Sequence, residues 1–353
     1  MHSRVLAFLT TGLFASAVAL AQITPAEGYT PQTQEFPLAI KIGQGELRFG
    51  TLLQAWYFGD TTPGMSNTFR IRRAEIKLYG TVIPGWEFLV MADPAKTQSF
   101  VAGGDPKILQ DLLVIFSGLK GHQFALGQTK IVLTEEGVHS SADLDFAERA
   151  IITRTFSDRR EAGFFYKGDY GKLVTGWLSI TNGTRANVLA NSNDTVLTTA
   201  RLDLKPFLGV LVGASGSYSS GEGPQHLTRT RTAAHLRYDG PAYFPLGLRF
   251  EYLEARDGQI GKSDLRQRGF YATALYTFEK HYQLAVRYES FDPDRDVSGN
   301  MQKVFTAGLH YLVSGKNINL KADYSHLRQE DRKVNGLPDT TFNQFTLAAQ
   351  VSF

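Results

Sequence analysis

The stretch TFNQFTLAAQVSF, residues 341–353, carries an apolar side chain at every second position. The apolar series consists of Phe345, Leu347, Ala349, Val351 and Phe353. Because side chains alternate between the two faces of a strand, this period of two predicts a β-strand with one apolar face. A strand of this kind that ends on an aromatic residue is typical of a transmembrane β-barrel, whose aromatic side chains lie at the membrane interfaces.

The beginning of the sequence has the features of a secretory leader. Arg4 provides a positive charge, residues 5–19 are mostly apolar, and Ala19-Leu20-Ala21 forms a small-x-small cleavage site. The alternative is a membrane anchor, but the apolar stretch is too short to span a bilayer. We therefore expect a signal peptide at residues 1–21 and an exported protein.

The segment that follows the leader, residues 22–45, contains Pro25, Pro31 and Pro37 among few apolar residues. Such a composition predicts a mobile lead-in rather than a domain. Alternating segments then continue to the end of the chain. We expect residues 46–353 to form one barrel domain.

The alternation predicts an all-β fold, a transmembrane antiparallel β-barrel of about sixteen strands. An even number of strands is the rule for single-chain bacterial barrels. The predicted strands cover residues 46–58, 69–81, 86–92, 112–116, 124–126, 160–167, 172–181, 196–205, 208–219, 229–239, 244–255, 266–278, 282–291, 302–312, 316–327 and 341–353.

The predicted connections alternate between short turns and long polar loops. Residues 82–85 and 168–171 are examples of the short class, and residues 59–68, 93–109 and 130–158 are the first three of the long class. Transmembrane barrels sort their connections in this way, with long loops outside the cell. A β-sandwich or a propeller gives no reason for such sorting.

Basic residues share one face of the predicted strand at residues 229–239. Arg229, Arg231, His235 and Arg237 have the same parity. A shift by one residue would turn the arginines to lipid, at a cost of about 2–4 kcal/mol each near the bilayer midplane. This row therefore faces the lumen, where it either guides anions or pairs with structural carboxylates.

Other strands place opposite charges two residues apart on the inward face. These pairs are Arg201 with Asp203, Arg249 with Glu251, Arg287 with Glu289 and Lys321 with Asp323. The spacing allows each pair to bond within the wall, and it leaves the four cations as further candidates for anion guidance.

The third long connection, residues 130–158, is the longest. A barrel of this size has a wide lumen, and long loops are usually functional or disordered. We predict that this loop folds inward and constricts the pore; the alternative is an external flap. Its charge is mixed, which leaves anion preference open. The charged candidates for the constriction are Lys130, Glu135, Glu136, Asp143, Asp145, Arg149 and Arg154.

The chain resembles the phosphate-selective porin O and P family of Gram-negative outer membranes. The resemblance covers nearly all of the chain after the leader and is densest in FRIRRAEIKLYGTVIPGWEFLVMADP (69–94), GQTKIVLTEEGVHSSADLDFAERA (127–150), REAGFFYKGDYGKLVTGWLSITNG (160–183) and LAVRYESFDPD (284–294). It implies a sixteen-stranded homotrimer, a third loop folded into the pore, and anions passed along lumenal Arg and Lys. The loop departs from the family pattern at Glu135-Glu136, where similar porins are Lys- and Pro-rich.

Composition narrows the function further. The chain has no cysteine, a net charge of +3 and eight scattered histidines. We expect no nucleic-acid partner, no cofactor, no metal site and no catalytic residues. The predicted function is passive diffusion of small hydrophilic solutes, above all anions such as phosphate or polyphosphate, across the bacterial outer membrane. The alternative is a structural or adhesive barrel that binds a partner through its external loops.

Overall fold

The computed structural model describes residues 38–62, 67–97, 108–188, 190–191, 195–222, 227–241, 243–330 and 339–353. Almost all of this part is β-structure. The strands are β1 (Leu38–Ile42), β2 (Gly45–Asp60), β3 (Thr68–Ile83), β4 (Trp86–Ala92), β5 (Leu109–Leu119), β6 (His122–Lys130), β7 (Arg160–Tyr170), β8 (Val174–Thr181), β9 (Leu197–Leu204), β10 (Val210–Glu222), β11 (Leu227–Asp239), β12 (Leu246–Asp257), β13 (Leu265–Phe278), β14 (Tyr282–Asp292), β15 (Gln302–Ser314), β16 (Ile318–Gln329) and β17 (Thr340–Ser352).

Strands β2 to β17 form a closed antiparallel barrel. Each strand pairs with the next along the chain, and β17 pairs with β2, with Gln350 opposite Gln54. Closure leaves no sheet edge, which is the condition for strands to span a bilayer. The predicted sixteen-stranded barrel is therefore confirmed.

The prediction that the first strand begins at Glu46 is wrong, because one more strand precedes it. Residues Leu38–Ile42 form β1, which pairs antiparallel with the start of β2, with Leu38 opposite Phe49. Strand β17 covers β2 only from Leu52 onward, so β1 supplies partners for backbone groups that β17 does not reach. The predicted signal peptide and the rest of the predicted lead-in lie outside the described residues.

The last strand shows the two faces that the sequence predicts. Leu347 and Val351 are 44% and 42% exposed on the outer face, whereas Gln350 is 3% exposed on the inner face. The outer apolar band meets lipid and the inner face meets the lumen. The same inward parity holds for Arg73, which is buried on β3.

The connecting segments contain little helix. Helix α1 spans Glu135–Val138 and helix α2 spans Ile151–Phe156, with 3₁₀ turns at Pro94–Thr97 and Ser141–Asp143. None of the helices in the described ranges is long and apolar enough to cross a membrane.

The lipid-facing parity of β17 can be tested at two adjacent positions. Leu347→Arg places a guanidinium against lipid and should lower the free energy of unfolding by about 2–4 kcal/mol if the site lies near the midplane. Thr346→Arg, one residue away, points into the lumen and should cost much less. Urea unfolding of both variants in lipid vesicles measures the difference, and equal destabilisation would contradict the assigned faces.

Candidate functional site

Residues 131–159 connect β6 to β7 and are called the inserted loop below. Most of its side chains are buried, with Leu133 and Ala150 fully so. The Thr134 hydroxyl caps α1 by accepting a hydrogen bond from the Gly137 amide at 3.1 Å. The loop is therefore a packed element rather than an open excursion.

Carboxylates of the barrel wall accept hydrogen bonds from the backbone of the inserted loop. Buried N–H groups outside regular structure need such partners, because leaving one unsatisfied is costly. The bonds run from Glu135 N to Glu251 (2.6 Å), from Ala147 N to Asp323 (2.8 Å) and from Ile151 N to Glu289 (2.6 Å). Three separate strands thus hold the loop at three points.

Cationic residues of the barrel wall donate hydrogen bonds to backbone carbonyl oxygens of the inserted loop. Arg201 on β9 donates to Thr134 O at 3.1 Å, and Arg287 on β14 donates to Glu148 O at 3.0 Å. The Lys321 amine on β16 donates to Leu144 O, and Lys316, in the turn before β16, donates to Asp143 O. These lumenal cations, three of them predicted as anion guides, are engaged with the loop.

The predicted charge pairs divide into two types. Arg201 bonds Asp203 at 2.8 Å, and Arg287 bonds Glu289 at 2.9 Å, as the two-residue spacing suggests. Arg249 instead bonds Asp239 at 2.6 Å and the loop carboxylate of Asp145 at 3.2 Å. Lys321 and Asp323 also bond the loop, at Leu144 O and at the Ala147 amide.

The basic row on β11 lies on the inward face, and its members have carboxylate partners. Arg231 bonds Asp257 at 2.7 Å, and Arg229 lies 4.0 Å from the same residue. The partners of the other two members are Asp203 for His235 at 3.1 Å and, for Arg237, Glu135 at 3.3 Å and Asp239 at 2.7 Å. These contacts favour the pairing interpretation of the row over the guiding one.

One side of the inserted loop packs on an apolar part of the wall. Val132 and Val138 share a buried cluster with inward side chains of β3 to β8. The wall members are Tyr79, Leu89, Leu113, Ile115, Ala125, Phe165 and Trp177. At the level of this cluster the space is filled by side chains, a feature that the sequence analysis did not predict.

The other side of the loop packs on the wall between β9 and β15. Leu133, Ile152 and Phe156 belong to a second cluster with Leu253 and other inward residues. Gly269 on β13 allows this approach, since a Cβ there would lie 2.5 Å from the Ile152 side chain. The loop also reaches β2 and β17, where Ala147 forms a small buried cluster with Trp56 and Ala348. The space that remains lies above the loop, on its long-loop side.

A cavity of about 620 Å³ occupies that position, and is called the upper cavity. It lies at the long-loop ends of β2, β3 and β14–β17, bounded below by the inserted loop. Its lining includes six cationic side chains against three carboxylates, an excess of three positive charges. These are Arg70, Arg72, Lys96, Arg149, Arg154 and Arg287 against Glu148, Glu289 and Asp323.

Two cations of the upper cavity are exposed to it, Lys96 and Arg154. Neither side chain has a hydrogen bond or ion pair within the part of the chain that the structure describes. Although the Lys96 side chain is accessible, the surrounding wall withdraws it from bulk water and lowers its pKa, and the nearby guanidinium groups of Arg72 and Arg73 lower it further. Burial is thus the main cause of the lowered pKa, and the two arginines add to it.

The acidic side chains of the loop are neutralised by arginines. Burial alone would raise the pKa of Glu148, but Arg72, bonded to it at 2.9 Å, and Arg73 hold that pKa at about 2. Arg249 likewise outweighs burial and lowers the pKa of Asp145 to about 2. Both groups remain carboxylates at neutral pH, so the charge of each is cancelled locally.

Other charged residues of the loop, and Lys130 at the end of β6, form hydrogen bonds and ion pairs mainly within this region. The Lys130 amine donates to Gly137 O at 3.1 Å and to His139 O at 2.6 Å. Glu136 accepts from the Ala150 amide at 2.8 Å. Within the loop, Arg149 pairs with Asp158 at 3.3 Å. Of the predicted constriction residues, Arg149 and Arg154 reach the upper cavity.

A small cavity of about 20 Å³ lies on the short-turn side of the loop, beside Arg237 and Lys316. Its lining includes Glu135, Glu136, Asp143 and Asp145. Phe146 lines both this space and the upper cavity. The Phe146 ring is 2% exposed and lies under the Arg287 guanidinium at 4.6 Å. It therefore separates the two spaces.

A closed sixteen-stranded barrel with an apolar exterior, a charged interior and a loop packed in its lumen defines a porin of the bacterial outer membrane. The sequence model of the phosphate-selective porin O and P family matches residues 46–219 and 241–353. The chain belongs to this family. No curated protein matches the chain in sequence.

Solved structures share the fold at low sequence identity. An anion-selective porin from Comamonas acidovorans is 11% identical, with a TM-score of 0.65 over 88% of this chain and 100% of that one. OmpF of Salmonella typhi, in complex with daunomycin, is 16% identical, with a TM-score of 0.63 over 90% and 100% of the two chains. OmpT of Vibrio cholerae, in a trimer form, is 12% identical, with a TM-score of 0.63 over 88% and 100%.

The anchoring of the loop can be tested at Glu289. Glu289→Ala removes the acceptor of the Ile151 amide, and leaving that buried N–H unsatisfied should cost about 1–3 kcal/mol. We expect a lower melting temperature and noisier single-channel currents. Glu289→Gln retains an acceptor oxygen and is the matched control. If the two variants behave alike, the wall carboxylate does not hold the loop.

Proposed function

We propose that this porin passes small anions, phosphate among them, by passive diffusion and performs no chemistry. The observation that carries the proposal is the excess of three positive charges around the upper cavity. A conducting site has to attract an ion without holding it for long. Exposed cations in a wet cavity, such as Lys96 and Arg154, satisfy both requirements.

The proposed route runs along one side of the lumen. Anions enter the upper cavity beside β2, β3 and β14–β17, and they pass Phe146 into the small cavity on the short-turn side, where Arg237, Arg249 and Lys316 lie among four carboxylates. The two larger packed clusters lie on the other sides of the loop. In this account, Arg201, Arg287, Lys321 and the β11 row hold the loop and the wall charges in place.

We further propose that the protein assembles as a homotrimer in outer-membrane lipid. Support comes from the resemblance to its family and from the trimer form of the Vibrio cholerae OmpT structure.

The charge of the upper cavity predicts the ion selectivity. Replacing Lys96 and Arg154 with Ala should lower the anion-to-cation permeability ratio roughly fivefold for each charge lost, since a unit charge at contact distance in water is worth ~1 kcal/mol. Reversal potentials in a salt gradient across a planar bilayer measure the ratio. Arg229→Gln with Arg231→Gln is the control, because these side chains pair with Asp257. A larger shift in the control would assign guidance to the β11 row.

The position of Phe146 predicts the conductance. Phe146→Ala should increase single-channel conductance several-fold, because the ring is the side chain that lines both cavities. Phe146→Leu should give an intermediate value. Phe165→Leu, in the apolar cluster on β7, is the matched control and should leave the conductance unchanged. Unaltered conductance in Phe146→Ala would place the constriction elsewhere.

A further inference from the structure

The upper cavity is half apolar, although an inorganic anion makes use only of charge. Trp56, Phe58, Phe146, Val304 and Leu327 are among its lining residues. In a channel wall that had only to attract phosphate or chloride, such side chains would contribute nothing to binding. Their presence beside six cationic groups indicates a second kind of recognition.

Aromatic rings and guanidinium groups are stacked at this wall. The Arg70 guanidinium carbon lies 5.0 Å from the Trp56 ring centre and 4.4 Å from that of Phe58. Arg72 lies 5.3 Å from the same Trp56 ring. Flat groups held in this way form a platform on which another planar group gains dispersion and cation–π attraction.

The same cavity contains positively charged side chains that can bind an anionic group. The side chains of Lys96 and Arg154 have no bonded partner among the residues that the structure describes, and both are exposed. A guanidinium presents paired N–H donors that match the two oxygens of a carboxylate. Arg154 can therefore hold the carboxylate of an organic ligand while the aromatic ring of the same ligand lies on the platform.

The volume also fits an organic ligand. Cavities that enclose small organic molecules measure about 300–1,000 Å³ and combine apolar walls with a few polar groups. The upper cavity, at about 620 Å³, lies within this range.

We propose that the upper cavity binds organic anions that carry a carboxylate on a planar aromatic body, the class of benzoate and phenylacetate. The inference rests on the proposed channel function and adds to it the class of solute that is bound most tightly on the way through. Arg154 and Lys96 hold the carboxylate, and the ligand ring packs on Phe58 and on the Arg70 guanidinium that lies over it. Trp56, 3% exposed, supports that guanidinium and does not itself contact the ligand.

The test compares two monoanions of equal charge, acetate and phenylacetate, and inorganic phosphate, on the full-length protein in a planar bilayer. Chloride current is recorded while acetate, phenylacetate or inorganic phosphate is added to the long-loop side. Phenylacetate should halve the current at a concentration about fivefold or more below that of acetate, because one aromatic contact contributes ~1 kcal/mol. Phe58→Leu should reduce this ratio while leaving the chloride current unchanged. Phe116→Leu, on the outer face near Trp86, is the matched control and should leave the ratio as it is.

The outcomes separate the two proposals. Absence of any chloride current overturns the proposed channel function. Normal chloride current with equal block by acetate and phenylacetate overturns the aromatic site alone, as does phosphate blocking at the lowest concentration of the three. A preference for phenylacetate of about fivefold or more that persists undiminished in Phe58→Leu overturns the assignment to this platform.

Discussion

The structure depends on how the buried backbone of the inserted loop is satisfied. Residues 131–159 lie inside a barrel without regular secondary structure over most of their length, so their N–H and C=O groups need partners. The barrel wall supplies these partners. The carboxylates of Glu251, Glu289 and Asp323 accept hydrogen bonds from loop amides. Arg201 and Arg287 donate hydrogen bonds to loop carbonyls. Charged side chains two residues apart on a strand thus hydrogen-bond the backbone of the loop, and in two of the pairs, Arg201–Asp203 and Arg287–Glu289, they also bond each other.

This use of charge determines where water can be. Cations that bond the loop are no longer available to solutes, and the apolar clusters on both sides of the loop exclude water from most of its perimeter. What remains is the upper cavity, where Lys96 and Arg154 are exposed. We therefore propose that the selectivity of the channel depends on a few side chains beside β2, β3 and β14–β17, and that the many other lumenal charges hold the structure together.

The fold could be predicted from the sequence because alternation repeats in most strands, and a shift of one residue would put Arg231 in lipid. The site was harder to predict. Parity places Arg201 or Arg287 inside the barrel but does not reveal a partner that is far away in sequence. One signal was present: the run LLVIF at residues 112–116 is apolar on both faces, as expected of a strand buried on both sides. Read together with Ile131-Val132-Leu133, it indicates a loop packed on that wall. Strand β1 was missed because pairing with β2, rather than its own pattern, stabilises it.

The most direct test of this account uses the absence of cysteine from the sequence. Single substitutions Thr346→Cys and Ser179→Cys place a thiol on the inward faces of β17 and β8, the first at the upper cavity and the second, fully buried, on the strand that carries Trp177 of the apolar cluster. A small anionic thiol reagent is added to the long-loop side while current is recorded. The account predicts that current falls quickly in Thr346→Cys and is unaffected in Ser179→Cys. Equal rates of block in both variants would contradict a lumen divided by the inserted loop.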